Sequence, residues 1–437
     1  MNGNRIFICK IISILFLVIV LSSFGVTAFA DDANGAAPIS AGDTAWILTS
    51  SLLVLLMTIP GLALFYGGMV RNKNVLSTMM HSFISVCIVS IVWVLWGYTI
   101  AFGSDVGGVM GSFEFFGLSG VGTEAFSGTA IPHLAFMVFQ LMFAGITVAL
   151  ISGAIAERVK FSAFALFAVL WATFIYSPLA HWVWGGGWLG GLGDLDFAGG
   201  TVVHISSGVA ALAAALVLGK RHGYGSENLS PHNLPFTIVG ASLLWVGWFG
   251  FNAGSALAAD GIAASAFVAT HVATAAGALG WVAVERIYRG KPTVLGAASG
   301  AVAGLVAITP AAGFVGPVSA IWVGLGGGVL CYGGVMWKSK LGYDDALDVL
   351  GIHGIGGTWG AIATGLFASV GGGTGLFFGN PGQVVIQFMG VGATWIFSFV
   401  GTFIILKILD MTIGLRVTKE EEVLGLDLSE HHERAYA

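Results

Sequence analysis

Two stretches decide how this chain folds: Asp196-Phe-Ala-Gly-Gly-Thr-Val-Val-His204 and Asp345-Ala-Leu-Asp348-Val-Leu-Gly-Ile-His353. Each runs from an aspartate into a long apolar segment and reaches a histidine eight residues later. Ionisable groups at membrane depth are costly and are functional-site candidates by default. At about 1.5 Å per residue, a helix carries such a histidine ~12 Å past its aspartate. That is well into a hydrocarbon core ~30 Å thick.

The rest of the chain supplies the membrane. Of 437 residues, 56% are hydrophobic and only 9% charged, more apolar surface than a soluble domain of this length can hide. The expected class is an all-α polytopic membrane protein. Its 67 glycines have no collagen period, so they read as small residues that let helices approach closely. Residues 1–30 read as a secretory signal peptide: Arg5 and Lys10 are followed by an apolar run, and Ala28-Phe29-Ala30 resembles a cleavage site. The membrane domain is then 31–411 and the tail 412–437. Cys87 and Cys331 fall in apolar segments, form no metal or disulfide pattern, and are expected to pack.

Eleven apolar spans follow the signal, at 43–70, 76–102, 133–156, 162–184, 198–219, 234–254, 262–284, 293–310, 317–337, 350–370 and 384–409. Of the 17 Lys and Arg residues, all but Arg5 and Lys10 lie between alternate spans or toward the C-terminus. They are Arg71 and Lys73, Arg158 and Lys160, Lys220 and Arg221, the Arg286–Lys291 group, Lys338 and Lys340, and those from Lys407 onward. The positive-inside rule therefore puts the mature N-terminus outside and the C-terminus in the cytoplasm. Spans one to five and six to ten become halves of opposite orientation, an inverted repeat with an eleventh helix added. Such repeats place a substrate path near the midplane. His204, in the fifth span, and His353, in the tenth, then approach the same depth from opposite faces.

A neutral imidazole donates at one nitrogen and accepts at the other, so two that meet can share a proton or bind a small polar solute. The alternative is two separate histidines, each satisfied by a backbone carbonyl. Asp196 is placed to cap its helix, and Asp345 and Asp348 to cap or orient theirs. Trp182, Trp184 and Trp188 form an aromatic cluster suited to the interface or to a small cation. Ser255 ends the sixth span on the same side, and Phe139, Phe143 and Phe251 are placed to narrow a passage. No phosphate loop, zinc spacing or nucleophile elbow is present, and nothing suggests a nucleic-acid surface, a cofactor or an enzyme.

The stretch Asp196 to Gly208 resembles the signature of the ammonium transporter (Amt/Mep/Rh) family. So do Gly247-Trp-Phe-Gly-Phe-Asn-Ala-Gly-Ser255, Asp345 to Gly354, and Ala156-Glu-Arg158. The resemblance covers nearly all of the mature chain and fits a bacterial Amt type best, because Trp184 is present. It implies eleven helices, a homotrimer and one pore per subunit in the cell (inner) membrane. Trp184, Phe143 and Ser255 would recruit ammonium, Phe143 and Phe251 would gate, and His204, His353 and Trp248 would line the pore. Asp196 would support the recruitment site. Ammonia would pass after deprotonation near the gate, with proton co-movement or as a neutral gas. The tail resembles one that meets a PII-type signalling protein. The competing readings are an ammonium sensor with little flux and a bis-histidine cytochrome.

Overall fold

The computed structural model describes residues 38–436, so the expected signal peptide lies outside the described residues. A backbone in lipid must satisfy its own N–H and C=O groups, and apolar runs therefore become helices. In order these are α1 (Ala41–Met69), α2 (Asn72–Phe102), α3 (His133–Ile155), α4 (Phe161–Leu192), α5 (Gly200–Leu218) and α6 (Leu234–Gly254). They continue with α7 (Gly261–Arg289), α8 (Val294–Ile308), α9 (Pro317–Leu341), α10 (350–367) and α11 (Gly382–Thr412). All but α8 and α10 are long and apolar enough to cross a membrane, nine among the described residues.

The differences from the sequence expectation have local causes. α8 has 15 residues, about 22 Å of helix, because the chain turns at Thr309 and Pro310. α10 is diluted by six glycines between Gly351 and Gly365. α7 runs on to Arg289, so Arg286 and Arg289 lie in its last turn, where cations suit the helix dipole. Cys331 is buried as expected, whereas Cys87 is exposed on the surface of α2. Helix starts are capped by Ser40, Asn233, Asp260 and Thr293, each accepting a backbone N–H.

α3 and α5 are the most enclosed helices, with 83% of their apolar windows buried against 39% for α11. α5 packs on α3, α10 and α11. Where α5 crosses α10, Gly208 meets the backbone of Gly354, and a side chain at Gly208 would collide with it. That crossing brings the two histidine-bearing turns together. Both turns are wide π-helical segments, Gly200–Ile205 and Leu350–Gly354, a distortion common at functional sites.

The connections gather on two faces. On one, a small hairpin of β1 (Asp105–Val106) and β2 (Met110–Gly111) packs beside α4. On the other, the C-terminal tail is docked rather than loose. Its strand-like segment pairs with the α3–α4 connection, through Lys160 N to Leu415 O and Val417 N to Arg158 O. Two short helices follow, α12 (Lys419–Leu424), opened by a Thr418–Glu421 capping box, and α13 (Leu426–His431). Leu426 N donates to Asn74 Oδ1, and Ser77 N donates to Asp427 Oδ1, pinning α13 to the start of α2.

The tail face is tied by buried charge. Arg158 is fully enclosed and donates to the carbonyls of Gly219 (3.0 Å), Ala156 (3.2 Å) and Asp344 (2.6 Å). Arg221 forks onto Asp344 with two 2.9 Å contacts and reaches Glu157 at 3.3 Å, while Arg71 pairs with Glu157 at 2.9 Å. Burial would raise the Glu157 carboxyl, but Arg221 and Arg71 hold it below its ordinary value. Burial opposes ionisation of Asp344 too, and the Arg221 contacts again prevail. Arg416 links the tail to this cluster, donating to Leu218 O and pairing with Glu422 at 2.7 Å.

Candidate functional site

Asp196 organises the start of α5. Its Oδ1 accepts from Gly199 N and Gly200 N, and its Oδ2 from Thr201 N and Val202 N, at 2.6–3.1 Å. This is a helix cap at full capacity, leaving no lone pair suited to a substrate. Its backbone oxygen holds Trp184, whose Nε1 donates to it at 2.9 Å. Asp345 does the smaller equivalent at α10, accepting from Leu350 N at 2.8 Å. Asp348 does not cap by its side chain. It adopts a left-handed backbone conformation (φ 62°) and pairs with Lys338.

From Trp184 a column of rings runs into the bundle. Trp184 meets Phe143 edge-on at 6.0 Å and 88°. Phe143 stacks on Phe251 at 4.2 Å and 25°, and both are buried. Phe251 lies 6.0 Å from His204, and His204 lies 5.2 Å from His353, each pair near-parallel. Ser255 follows Phe251 by one turn at the end of α6, its hydroxyl donating to Phe251 O at 2.9 Å while its lone pairs remain free to accept. Trp182 and Trp188 pair with each other instead, with Trp182 donating to Val109 of the hairpin. Of the three tryptophans, only Trp184 faces the column.

The two histidines meet. Nδ1 of His204 lies 3.2 Å from Nδ1 of His353, both rings are buried, and His204 Nε2 has no partner. One Nδ1 must donate while the other accepts, so one proton serves the contact. Trp248 lies across His204 at 5.3 Å and 26°. Beside them is a cavity of ≈ 10 Å³ walled by both imidazoles, Trp248, Leu62 and Phe65. It has room for about one water-sized solute.

Sequence reasoning missed two groups, Thr309 and Asp194. Thr309 accepts from Trp248 Nε1 at 2.9 Å and fixes that indole. Phe139 packs edge-on against Phe143 at 4.9 Å, bracing the stack. Asp194, two residues before Asp196, is buried with neither carboxylate oxygen hydrogen-bonded, and burial raises its pKa well above the ordinary value. The Gly193-Asp194-Leu195-Asp196 repeat of acids was the available signal.

A multi-helix membrane bundle with a column of aromatic rings leading to two buried histidines has the architecture of a transport protein. The family model of the Ammonium Transporter Family matches residues 45–436. The ammonium transporter of Bacillus subtilis is 59% identical over 402 residues, covering 90% of this chain and 98% of that one. The crystal structure of Candida albicans Mep2 superposes with a TM-score of 0.83 at 36% identity, covering 88% of each chain. A solved sensor Amt protein matches with a TM-score of 0.84 at 30% identity, covering 89% of this chain and 98% of that one. This chain belongs to the ammonium transporter family.

Proposed function

We propose that this protein takes up ammonium across the cell membrane through the column from Trp184 to His353. The observation that carries the reading is that column itself, closed by stacked Phe143 and Phe251 directly above a bare, buried histidine pair. A stripped cation in so narrow and apolar a path is expensive, whereas neutral ammonia is not. Ammonium and potassium have like charge and size, but only ammonium donates hydrogen bonds and can surrender a proton. Trp184, Phe143 and Ser255 therefore recruit the cation by its charge and its N–H donors. Deprotonation occurs near the Phe143–Phe251 gate, and ammonia passes His204, His353 and Trp248. The shared histidine proton offers a route for proton co-movement. Asp196 supports recruitment by holding Trp184 and the start of α5, while Asp345 and Asp348 set α10.

On this reading all eleven helices span, α8 and α10 included, with α1–α5 and α6–α10 as inverted halves. The tail face is cytoplasmic, because the basic loops converge on it, and the mature N-terminus is outside after removal of residues 1–30. The protein works as a homotrimer with one pore per subunit, and its tail, 412–437, answers to a PII-type signalling protein.

The test is an ammonium pulse at fixed pH on purified protein in a solid-supported membrane, with potassium as control. A sustained ammonium-specific current supports electrogenic uptake. Absence of both current and internal pH change would sink the transport reading and leave sensing.

A further inference from the structure

Asp194 is a buried acid for which the column has no use. The connection that carries it is clamped to α11 on both sides. Gln383 Nε2 donates to Gly193 O at 2.9 Å, Leu195 N donates to Gln387 Oε1 at 2.8 Å, and Gln387 Nε2 donates to Leu195 O at 3.0 Å. Between these anchors the Asp194 side chain lies on Gly390, where a Cβ would stand 2.8 Å from Oδ1 and 3.0 Å from Oδ2. Only a glycine leaves room for the carboxyl group. Asp194 is 9% exposed, and neither oxygen has a hydrogen-bond partner among the described residues.

No fixed cation stands ready to pair with it. The connections on the face opposite the tail, 103–132, 193–199, 255–260, 309–316 and 368–381, contain no Lys or Arg. α11 from Gly382 to Leu406 and the 309–316 and 368–381 connections carry no titratable side chain at all. His181 of α4 is turned to Asp105 and Ala101 O instead. The charge that acts on Asp194 is that of Asp196, which has the same sign. A buried carboxylate with neither counter-ion nor donor is so costly that such a group takes up a proton.

We propose that Asp194 is a proton-binding site, a neutral acid while its connection is docked, and that loss of the proton loosens residues 193–196 from α11. Asp196 lies two residues on, caps α5 with its carboxylate and holds Trp184 with its carbonyl. On the uptake reading above, which this consequence presupposes, a proton at Asp194 keeps the recruitment site in shape. Alkaline medium on that face then weakens recruitment.

The direction of the pH effect follows from burial, which raises the Asp194 carboxyl well above its ordinary value, with Asp196 adding to the shift. The unfolded chain gives up this proton near pH ~4, and the folded chain only at higher pH. Folding takes up a proton between the two values. Stability therefore falls as pH rises from about 4 through the raised value, and levels off above it.

The test is an infrared titration of the full-length protein in detergent, without ammonium, beside Asp194→Asn. The wild type should show at neutral pH a carbonyl band of an un-ionised acid that fades as pH rises and is missing from Asp194→Asn. The thermal transition should fall between neutral and alkaline pH in the wild type and fall less in Asp194→Asn. Asp194→Ala, which asks for no room beside Gly390, should behave as Asp194→Asn does. Half-saturation of uptake, counted per ammonium ion, should climb several-fold over the same range in the wild type and stay level in Asp194→Asn. Identical infrared titrations of wild type and variant would overturn the proposal, as would wild-type pH dependence of the thermal transition in both variants. A pH-dependent half-saturation that persists in Asp194→Asn would overturn the link to recruitment. The infrared and thermal readings need no substrate, so failure of the uptake reading would leave them standing.

Discussion

The amide nitrogen of Gly354 lies 2.1 Å from where a Cβ on Gly208 would be. α5 and α10 thus touch backbone to backbone, one turn after His204 on α5 and immediately after His353 on α10, and nothing flexible is there to yield. The converse is gentler: a Cβ on Gly354 would first meet Leu350 Cδ1 at 2.7 Å, the far end of a side chain.

Gly208→Ala should therefore be the more damaging of the two. Overpacking of this kind costs about 1–3 kcal/mol, and the shift is passed straight to His204. A lowered unfolding temperature in detergent together with lost flux is expected for Gly208→Ala, and a milder change for Gly354→Ala. Equal behaviour of the two variants would show that the crossing does not set the histidine contact.

Replacing both histidines, His204→Ala with His353→Ala, removes the shared proton and enlarges the small cavity that both rings wall. Discrimination against potassium should fall by roughly tenfold or more, about 1.4 kcal/mol. Currents measured in ammonium and in potassium read this directly. Wild-type selectivity in the double variant would refute the role given to the pair.

At the other end of the column, Trp184→Leu removes an aromatic face and Ser255→Ala an acceptor. A cation–π contact is worth about 0.5–2 kcal/mol, so half-saturation should move several-fold upward in ammonium while the maximal rate changes less. Concentration-dependent uptake separates these effects. An unaltered half-saturation in both variants would count against recruitment there.

On the tail face, Asp344→Ala would leave Arg221 buried without its forked partner, a loss on the order of 3–5 kcal/mol. Acid should act in the same direction. Glu157 and Asp344 have folded-state pKa values below their ordinary ones, so their contribution is complete above the ordinary carboxylate pKa, about 4. It is lost as pH falls from there through the depressed values. Hydrogen exchange of residues 413–431 should stay slow down to about pH 4 and quicken below. Quickening that begins near neutrality would implicate histidines instead.

Much of this was legible because a membrane punishes ambiguity. Lipid forces apolar runs into helices, and the placement of Arg71, Arg158, Arg221 and Lys338 between alternate runs foretold which connections would share a face. Although the chain from each aspartate is helical only from Gly200 and Leu350, the placement of His204 and His353 inside apolar segments followed from the sequence alone. Their 3.2 Å contact did not, because it depends on the Gly208–Gly354 crossing and on two π-helical turns that no residue pattern announces. The docking of the tail was hidden for another reason. Leu426 to Asn74 and Ser77 to Asp427 each join a backbone N–H to a polar side chain about 350 positions away, each ordinary in isolation. Thr309 was equally silent, its value lying wholly in the indole of Trp248.

Arg158 carries a consequence for chain length. One guanidinium grips carbonyls in three separate connections, at Ala156, Gly219 and Asp344, and so measures all three against a single ruler. A residue inserted beside any of these anchors would slide its carbonyl out of register and strand a positive charge in the interior. Reporter tags and spacers therefore belong elsewhere on this face, and the exposed stretch around Ser226 to Asn228 has the slack to carry them.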